Sequence, residues 1–387
     1  MIEHEVVDVA VLGAGQGGLA VAAVLGRHQV QTVVLERATV GATWRGHYDR
    51  LTLNTDRLLS GLPGESIPRR YGRWVSRDGF VSYLEDYAAR LDVRTGVQAL
   101  RLDRQGELWA LRGTRFRAHR VVVATGLNRL PFTPRWPGRF HGPLQHSAAY
   151  RNPLPYAGQV VLVVGAGNSG AEIAADLVSA RSGGAAHVLL AVRSTPGLLP
   201  RAIGPLPTQL AAFGLPALPA ALADRATSLA LSALRPHDHQ HGLPAPTAMV
   251  SDARRGVLPV LDNGLRAAVH AGRVTIVAAV VGLDGWRVQL ADGTAVTPDA
   301  VIAATGWRAD LEPLVGHLGV LGSNGLPLLP AGQESATGLH FVGFRTALTG
   351  DVHRAGHEAE AVAAALTGAG AVRAAVNGVR RRLPLPA

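Results

Sequence analysis

The 387-residue chain contains no cysteine and no lysine. Without cysteine there are no disulfides, thiolate nucleophiles, thiolate-bound zinc ions or iron–sulfur clusters. Without lysine there is no P-loop lysine and no Schiff base to pyridoxal phosphate. Aromatic residues make up only 5%, and charged residues 17% against 47% hydrophobic ones, which is a globular composition rather than a disordered, fibrous or coiled-coil one. The 38 basic residues are all arginine and outnumber 28 acids, giving a formal charge of +10. In a chain rich in Ala, Gly and Pro, this arginine-only set reads as the product of a GC-rich genome, spread over a solvated surface. No nucleic-acid partner is expected from it.

The length suggests two domains at roughly 150 residues each. The first residues, MIEHEVVDVAVLG, carry acids where a signal peptide carries positive charge, so they read as a first strand and the expected location is cytoplasmic. Residues 202–223 run without a charge, yet Pro205, Pro207, Pro216 and Pro219 break the hydrogen bonding that a lipid-exposed helix requires. Short helical turns over an apolar cleft fit better, and no membrane partner is expected.

What the chain does have is one pattern written twice. Val6-Val7-Asp8-Val9-Ala10-Val11-Leu12 leads into Gly13-Ala14-Gly15-Gln16-Gly17-Gly18 and an Ala/Val/Leu helix to about Gly26, followed by a strand from Thr32 that ends at Glu36. Val160-Val161-Leu162-Val163-Val164 leads into Gly165-Ala166-Gly167-Asn168-Ser169-Gly170 and a helix to about Ala180, followed by a strand from His187 that ends at Arg193. Each glycine run thus sits between a β-branched strand and a helix in a βαβ-sized unit, the setting of a dinucleotide-binding turn. The first glycine makes the tight turn, the second admits a pyrophosphate to the backbone, and the third allows close packing. The helix N-terminus then holds the phosphates.

The residue ending each second strand separates the two nucleotides. Glu36 accepts hydrogen bonds from a ribose diol and repels a 2′-phosphate, whereas Arg193 pairs with one, so the first unit is assigned to FAD and the second to NADPH. Val121-Val122-Val123-Ala124-Thr125-Gly126 and Val301-Ile302-Ala303-Ala304-Thr305-Gly306 are a further echo, apolar strands returning the chain to each sheet beside the nucleotide. The expected fold class is α/β, with two Rossmann-like domains. The NADPH domain, 155–305, is inserted in an FAD domain built from 1–150 and 310–387, with a variable apolar segment at about 202–256.

Between the two units, Phe140-His141-Gly142-Pro143-Leu144-Gln145-His146-Ser147-Ala148-Ala149-Tyr150 resembles the FxGxxxHxxxY fingerprint of class B flavin-dependent monooxygenases, carried here by Phe140, Gly142, His146 and Tyr150. Baeyer–Villiger members usually have Trp where this chain has Tyr150. GATWRGHYDRLTLNT (41–55), GNSGAEIAADL (167–177) and Leu199-Pro200-Arg201 look most like YUCCA-type flavin monooxygenases and their bacterial relatives, over nearly the whole chain. The resemblance implies an enzyme in which NADPH reduces FAD and the reduced flavin captures O2 as a C4a-hydroperoxide. One oxygen atom then passes to a small, apolar or aromatic substrate by N- or S-oxygenation, hydroxylation, or oxidative decarboxylation of an α-keto acid.

The implied FAD set is Gly13, Gly15, Gln16, Gly17, Gly18, Glu36, Arg37, Thr43, Trp44, Arg45, His47, Leu53, Asn54, Val97, Ala124, Thr125, Gly126 and Gly343. The NADPH set is Gly165, Gly167, Asn168, Ser169, Gly170, Arg193, Ala304, Thr305 and Gly306. Asn54 matches the asparagine that the family places beside the flavin, where an amide donates and accepts at once; the alternative is a turn-forming asparagine. Trp44, Arg45 and His47 line the flavin on this reading, and simple packing is the alternative. Val97, in a strand after Gly96, supplies a backbone contact to adenine. His146 and Tyr150 orient the linker rather than act as acid or base.

Disulfide-reductase flavoproteins share the two-nucleotide plan but need a cysteine pair, and they follow a late glycine with Asp where Gly343 precedes Phe344. The competing reading that survives is an FAD-dependent reductase passing electrons to a protein or quinone. Pro236-His237-Asp238-His239-Gln240-His241 is read as a solvated loop rather than a metal site, and Arg380-Arg381-Arg382 as a basic tail.

Overall fold

A computed structural model describes residues 4–179, 183–194, 197–214, 218–235, 238–243 and 247–368; Pro216, Pro236, His237 and the Arg380-Arg381-Arg382 tail lie outside the described residues. Two sheets organise it. The first holds β1 (Glu5–Leu12), β2 (Thr32–Glu36), β3 (Val93–Thr95), β4 (Arg101–Gln105), β5 (Leu108–Arg112) and β6 (Phe116–Val123), in the order β3-β2-β1-β6-β5-β4. β1, β2, β3 and β6 run parallel, while β4 and β5 form an antiparallel extension.

The second sheet is parallel throughout: β7 (Leu144–His146), β8 (Val160–Val164), β9 (His187–Val192), β10 (Val274–Ala278) and β11 (Ala300–Ala303), ordered β10-β9-β8-β11-β7. β12 (Leu339–Phe341) then returns to the first sheet and pairs with the C-terminal half of β6. Every strand of the second sheet therefore lies between two portions of the chain that build the first. Rossmann-like units nested in this way match the α/β class expected from the repeated motif.

The parallel strands read as unbroken apolar runs because both faces of each sheet are covered, one face of the second by Val288 and Leu290 of a small antiparallel sheet. In the first unit α1 (Gln16–Arg27), α2 (Arg77–Ala88) and α5 (Asp351–Thr367) bury Leu19, Phe80, Leu84 and Val362 over one face. Over β8 and β9 the covering helix is α3 (Asn168–Leu177), which buries Ile173 and Leu177. The two crossings between units run side by side, Trp307–Arg308 pairing antiparallel with Leu130–Pro131.

The glycine turns repeat to atomic detail. Gly13 has φ +108° and Gly165 φ +101°; a Cβ at these positions would lie 2.6 Å from the Ala124 carbonyl oxygen and 2.5 Å from that of Ala304. The Ala-Thr-Gly strand ends thus pack directly on the turns, the physical content of that sequence echo. The third glycines are tighter still, since a Cβ on Gly18 or Gly170 would sit 1.9 Å from the carbonyl oxygen of Gly13 or Gly165. Gly26, near the end of α1, has nothing within 4 Å.

Adding one methyl therefore has opposite consequences along α1. Gly18→Ala should destabilise the protein by roughly 1–3 kcal/mol, because backbone must move, whereas Gly26→Ala should stabilise it by about 0.5–1 kcal/mol. Urea denaturation of the two variants checks the sign of each.

Candidate active site

A cavity of about 790 Å³ runs from the first glycine turn, past the end of β2, to the segment over residues 199–261. Of the residues expected from sequence, Gly13, Gly15, Gln16, Gly17, Glu36, Arg37, Thr43, Trp44, His47, Leu53, Asn54, Val97, Ala124, Thr125, Gly126, Asn168 and Gly343 line it. At its inner end the Ala14 and Ala38 N–H groups each donate to Glu36 at 2.8 Å, fixing that carboxylate beside the turn. Trp44 donates to Gln16 at 3.0 Å and meets Phe80 edge-on, so its ring is held against the cavity wall.

Other expected residues lie elsewhere. Arg45 points away from the cavity and pairs with Glu85 of α2. Gly18 is sealed against Gly13, so its part is packing. Val97 is not in a strand: β3 ends at Thr95 and Gly96, with φ +71°, turns the chain, after which the Val97 N–H donates to the Glu36 carbonyl at 2.9 Å. Gly165, Gly167, Ser169, Gly170, Arg193, Ala304, Thr305 and Gly306 surround the second turn and do not line this cavity. Asn168 reaches it, although its side-chain oxygen is engaged by the Leu261 N–H at 2.9 Å. Arg193 is exposed at the end of β9.

Both turns have the properties a dinucleotide requires. Neither α1 nor α3 has a side-chain cap or an acid in its first turn, so their first N–H groups are left to a ligand. Gly15 and Gly167 have nothing within 4 Å of a built Cβ, leaving open approach to the backbone. Asn54 Oδ1 and Thr125 Oγ1, on cavity-lining residues, are buried without hydrogen-bond partners.

The fingerprint residues clamp the linkers. Gly142 is needed because Phe140 folds over it, a Cβ there meeting the ring at 2.7 Å. His146 donates through Nε2 to the Gly306 carbonyl at 2.9 Å, accepts at Nδ1 from the Ala148 N–H at 3.0 Å, and stands edge-on to Trp307. Both ring nitrogens are occupied, and burial lowers the pKa of His146, so the ring is neutral. Tyr150 donates to Asp176 at 2.8 Å.

Sequence reasoning missed the other end of that last contact. Glu172 and Asp176 sit one turn apart on α3, only 4% and 5% exposed, and each accepts from a tyrosine of the preceding segment: Tyr48 to Glu172 and Tyr150 to Asp176, both at 2.8 Å. The signal was present as two acids at i and i+4 in the otherwise apolar Ala171-Glu172-Ile173-Ala174-Ala175-Asp176. Arg201 is also placed here, donating to the Leu53 carbonyl and to Asn263 and lying 4.1 Å over the Trp74 ring.

Over the cavity, Ala202–Ile203 and Leu206–Pro207 form a short hairpin, followed by the helical turns Thr208–Leu210 and Ala211–Gly214 and by α4 (Ala220–Leu234). Gln209 pins this cap, accepting from the Asp56 N–H at 3.1 Å and donating to the Thr349 carbonyl. Its inner surface presents Ala212, Leu231, Leu234 and Met249 to the cavity. In the histidine-rich segment, Asp238 is buried and accepts from Arg266 at 2.7 Å and His270 at 3.0 Å. Among the described residues no group of three or more His, Cys, Asp or Glu is placed to hold a metal ion, and no helix is long and apolar enough to cross a membrane.

Comparison with known proteins assigns the family. The flavin-binding monooxygenase-like family model matches residues 116–317, and the pyridine nucleotide-disulphide oxidoreductase model matches residues 10–196. The indole-3-pyruvate monooxygenase YUCCA1 of Oryza sativa subsp. japonica is 35% identical over 352 residues, 86% of this chain and 86% of its own length. The chain belongs to the flavin-binding monooxygenase-like family. The probable indole-3-pyruvate monooxygenase YUCCA3 of Arabidopsis thaliana is 31% identical over 86% of this chain and 81% of its own length. A flavin-containing monooxygenase from Stenotrophomonas maltophilia has the same fold, with TM-score 0.70 at 24% identity over 93% of this chain and 99% of that one. The protein is thus an NADPH- and O2-dependent FAD monooxygenase, and the reductase alternative has less support.

His47, between the Trp44 and Trp307 rings, supplies a pH test. Burial, aided by the Arg151 and Arg77 charges, lowers its pKa to about 4 from 6.5. The unfolded chain protonates first, so this group's stabilisation is complete above about pH 6.5 and is lost as pH falls toward 4. Across that window His47→Gln should lose about 2–3 kcal/mol less than wild type in urea melts.

Proposed function

We propose that the first glycine turn with Glu36 holds the FAD, that the second turn with Arg193 holds the NADPH, and that the capped end of the cavity takes a small apolar or aromatic substrate. The corresponding units are 1–150 with 310–387 and 155–305. The observation that carries this reading is a single cavity whose inner end has the Gly13–Gly18 turn and whose outer end is walled by the cap. When bound, NADPH would supply the hydride, and FAD would accept it and then activate O2. The chain supplies position, charge and exclusion of water.

Glu36, already accepting two backbone N–H groups, has lone pairs left for ribose hydroxyls. Arg193, exposed at the equivalent strand end, presents a fork for a 2′-phosphate. Asn54 stands at the cavity wall with its carbonyl oxygen unpartnered, an amide able both to donate to an oxygen atom and to accept. His146 and Tyr150 act as orienting residues, since their polar atoms are consumed by Gly306, Ala148 and Asp176. The cap's leucines keep water out of the reacting end.

Because the curated relatives are indole-3-pyruvate monooxygenases, an aryl 2-oxo acid is the first substrate class to test, followed by apolar amines and sulfides. Incubation with NADPH and air, with the product identified by mass, distinguishes loss of CO2 from simple gain of oxygen. Turnover of hydrophilic compounds alone would overturn the apolar reading.

Two substitutions test the residue roles. Arg193→Ala should cost NADPH about tenfold or more in kcat/KM while leaving NADH nearly unchanged, as expected for one lost charge-assisted pair; equal losses would remove Arg193. Asn54→Ala should leave flavin reduction largely intact and release about tenfold more H2O2 per NADPH. Unchanged coupling would leave Asn54 as a turn residue only.

A further inference from the structure

Gln209 and Phe213 both seat the cap on the segment that opens α5. Gln209 donates to the Thr349 carbonyl, and Phe213, in the turn Ala211–Gly214, meets the His353 ring edge-on with 5.0 Å between centroids. His353 lies in the first turn of α5, among the residues Asp351, Val352, Arg354 and Ala355 that line the cavity, but its own side chain is not on that wall. One turn further along, His357 faces it. Their Nε2 atoms are 3.0 Å apart and their ring planes cross at 76°. Neither imidazole has a task in the reading above.

Side chains at i and i+4 of a helix share one face. Here both Nε2 atoms converge on one point within reach of solvent, His357 being exposed and His353 half-buried. Without a ligand, a single proton between the two nitrogens joins the rings; with each ring's proton at Nδ1 instead, both Nε2 lone pairs are free to bind one cation. Imidazole nitrogen binds a divalent ion of the zinc size at roughly 2.0–2.1 Å, so the observed 3.0 Å separation gives a nitrogen–metal–nitrogen angle of about 95°. That is near the right angle of square-planar or octahedral coordination and narrower than a tetrahedral one, which favours Cu2+ or Ni2+ over Zn2+.

The neighbouring carboxylates are committed elsewhere. Glu358 accepts from the Gly343 N–H and from Arg354, and Glu360 pairs with Arg27. Among the described residues no group of three or more His, Cys, Asp or Glu is placed to hold a metal ion, so the remaining coordination positions here fall to water and the ion is exchangeable.

We propose that His353 and His357 form a two-imidazole site for an exchangeable divalent transition-metal ion of the Cu2+ or Ni2+ class, at the seam where the cap meets α5. The site is separate from both glycine turns. Through His353 it touches the cap, since an ion bound there holds the ring on which Phe213 rests.

The test titrates untagged, FAD-loaded protein without NADPH with Ni2+, Zn2+ and Cu2+, reading heat by calorimetry and, for Cu2+, nitrogen hyperfine structure by electron paramagnetic resonance. Wild type is compared with His353→Ala, His357→Ala and, as a control, His241→Ala, whose ring stacks on His270 in the other histidine-rich segment. Alanine is a good helix former, so both α5 variants keep the helix. Expected are Ni2+ and Cu2+ affinities at least about tenfold weaker in either α5 variant and unchanged in His241→Ala. The Cu2+ spectrum should show two imidazole nitrogens in wild type and one in either α5 variant, and Ni2+ should raise the wild-type melting temperature but not that of the α5 variants. Affinity unchanged in both α5 variants overturns the proposal, as does a loss confined to His241→Ala. A loss in only one α5 variant leaves a single-histidine contact and overturns the chelate. Zn2+ binding more tightly than Ni2+ overturns the right-angled geometry.

Discussion

Two carboxyl groups one turn apart on α3 are buried in an apolar core, and burial of an acid without a donor costs several times what an ordinary hydrogen bond returns. Tyr48 and Tyr150 provide those donors, their rings 6.1 Å apart, and they come from opposite ends of the first unit's early chain. Much else depends on this arrangement. It places the fingerprint segment against the second unit, brings the loop carrying Asn54 to the face of α3, and leaves the two linkers to pair beside Trp307.

The same contacts explain why the fingerprint has its spacing. His146 ends β7 and turns its ring onto the return crossing at Gly306, and Tyr150, four residues on, reaches Asp176. Phe140 closes over Gly142 at the other end of the segment. None of these side chains has a polar atom left for acid–base work. Their chemistry is mechanical, holding two nucleotide units at a fixed relation so that groups from both can wall one cavity.

The cap is the other arrangement that matters. Its prolines, which rule out a membrane helix, produce the hairpin and short turns that let Gln209 reach both Asp56 and Thr349. Asp238, inside what looks like a metal-binding stretch, is instead consumed by Arg266 and His270, an ion cluster that fastens the far side of the same segment.

The residues alone determined the two glycine turns, the strands around them and the return strands ending in Ala-Thr-Gly, because these are local patterns in which a tight turn or a sheet approach leaves room for nothing larger than hydrogen or methyl. They also determined which chemistries were absent. Side-chain direction was decided only by the tertiary structure. Arg45, one residue from Trp44, turns outward to Glu85; Val97 follows a turn rather than lying in a strand; and Glu172 and Asp176, ordinary acids in a sequence, become buried groups because tyrosines 124 and 26 residues away meet them. Contacts between distant segments set such partners, and no local spacing encodes them.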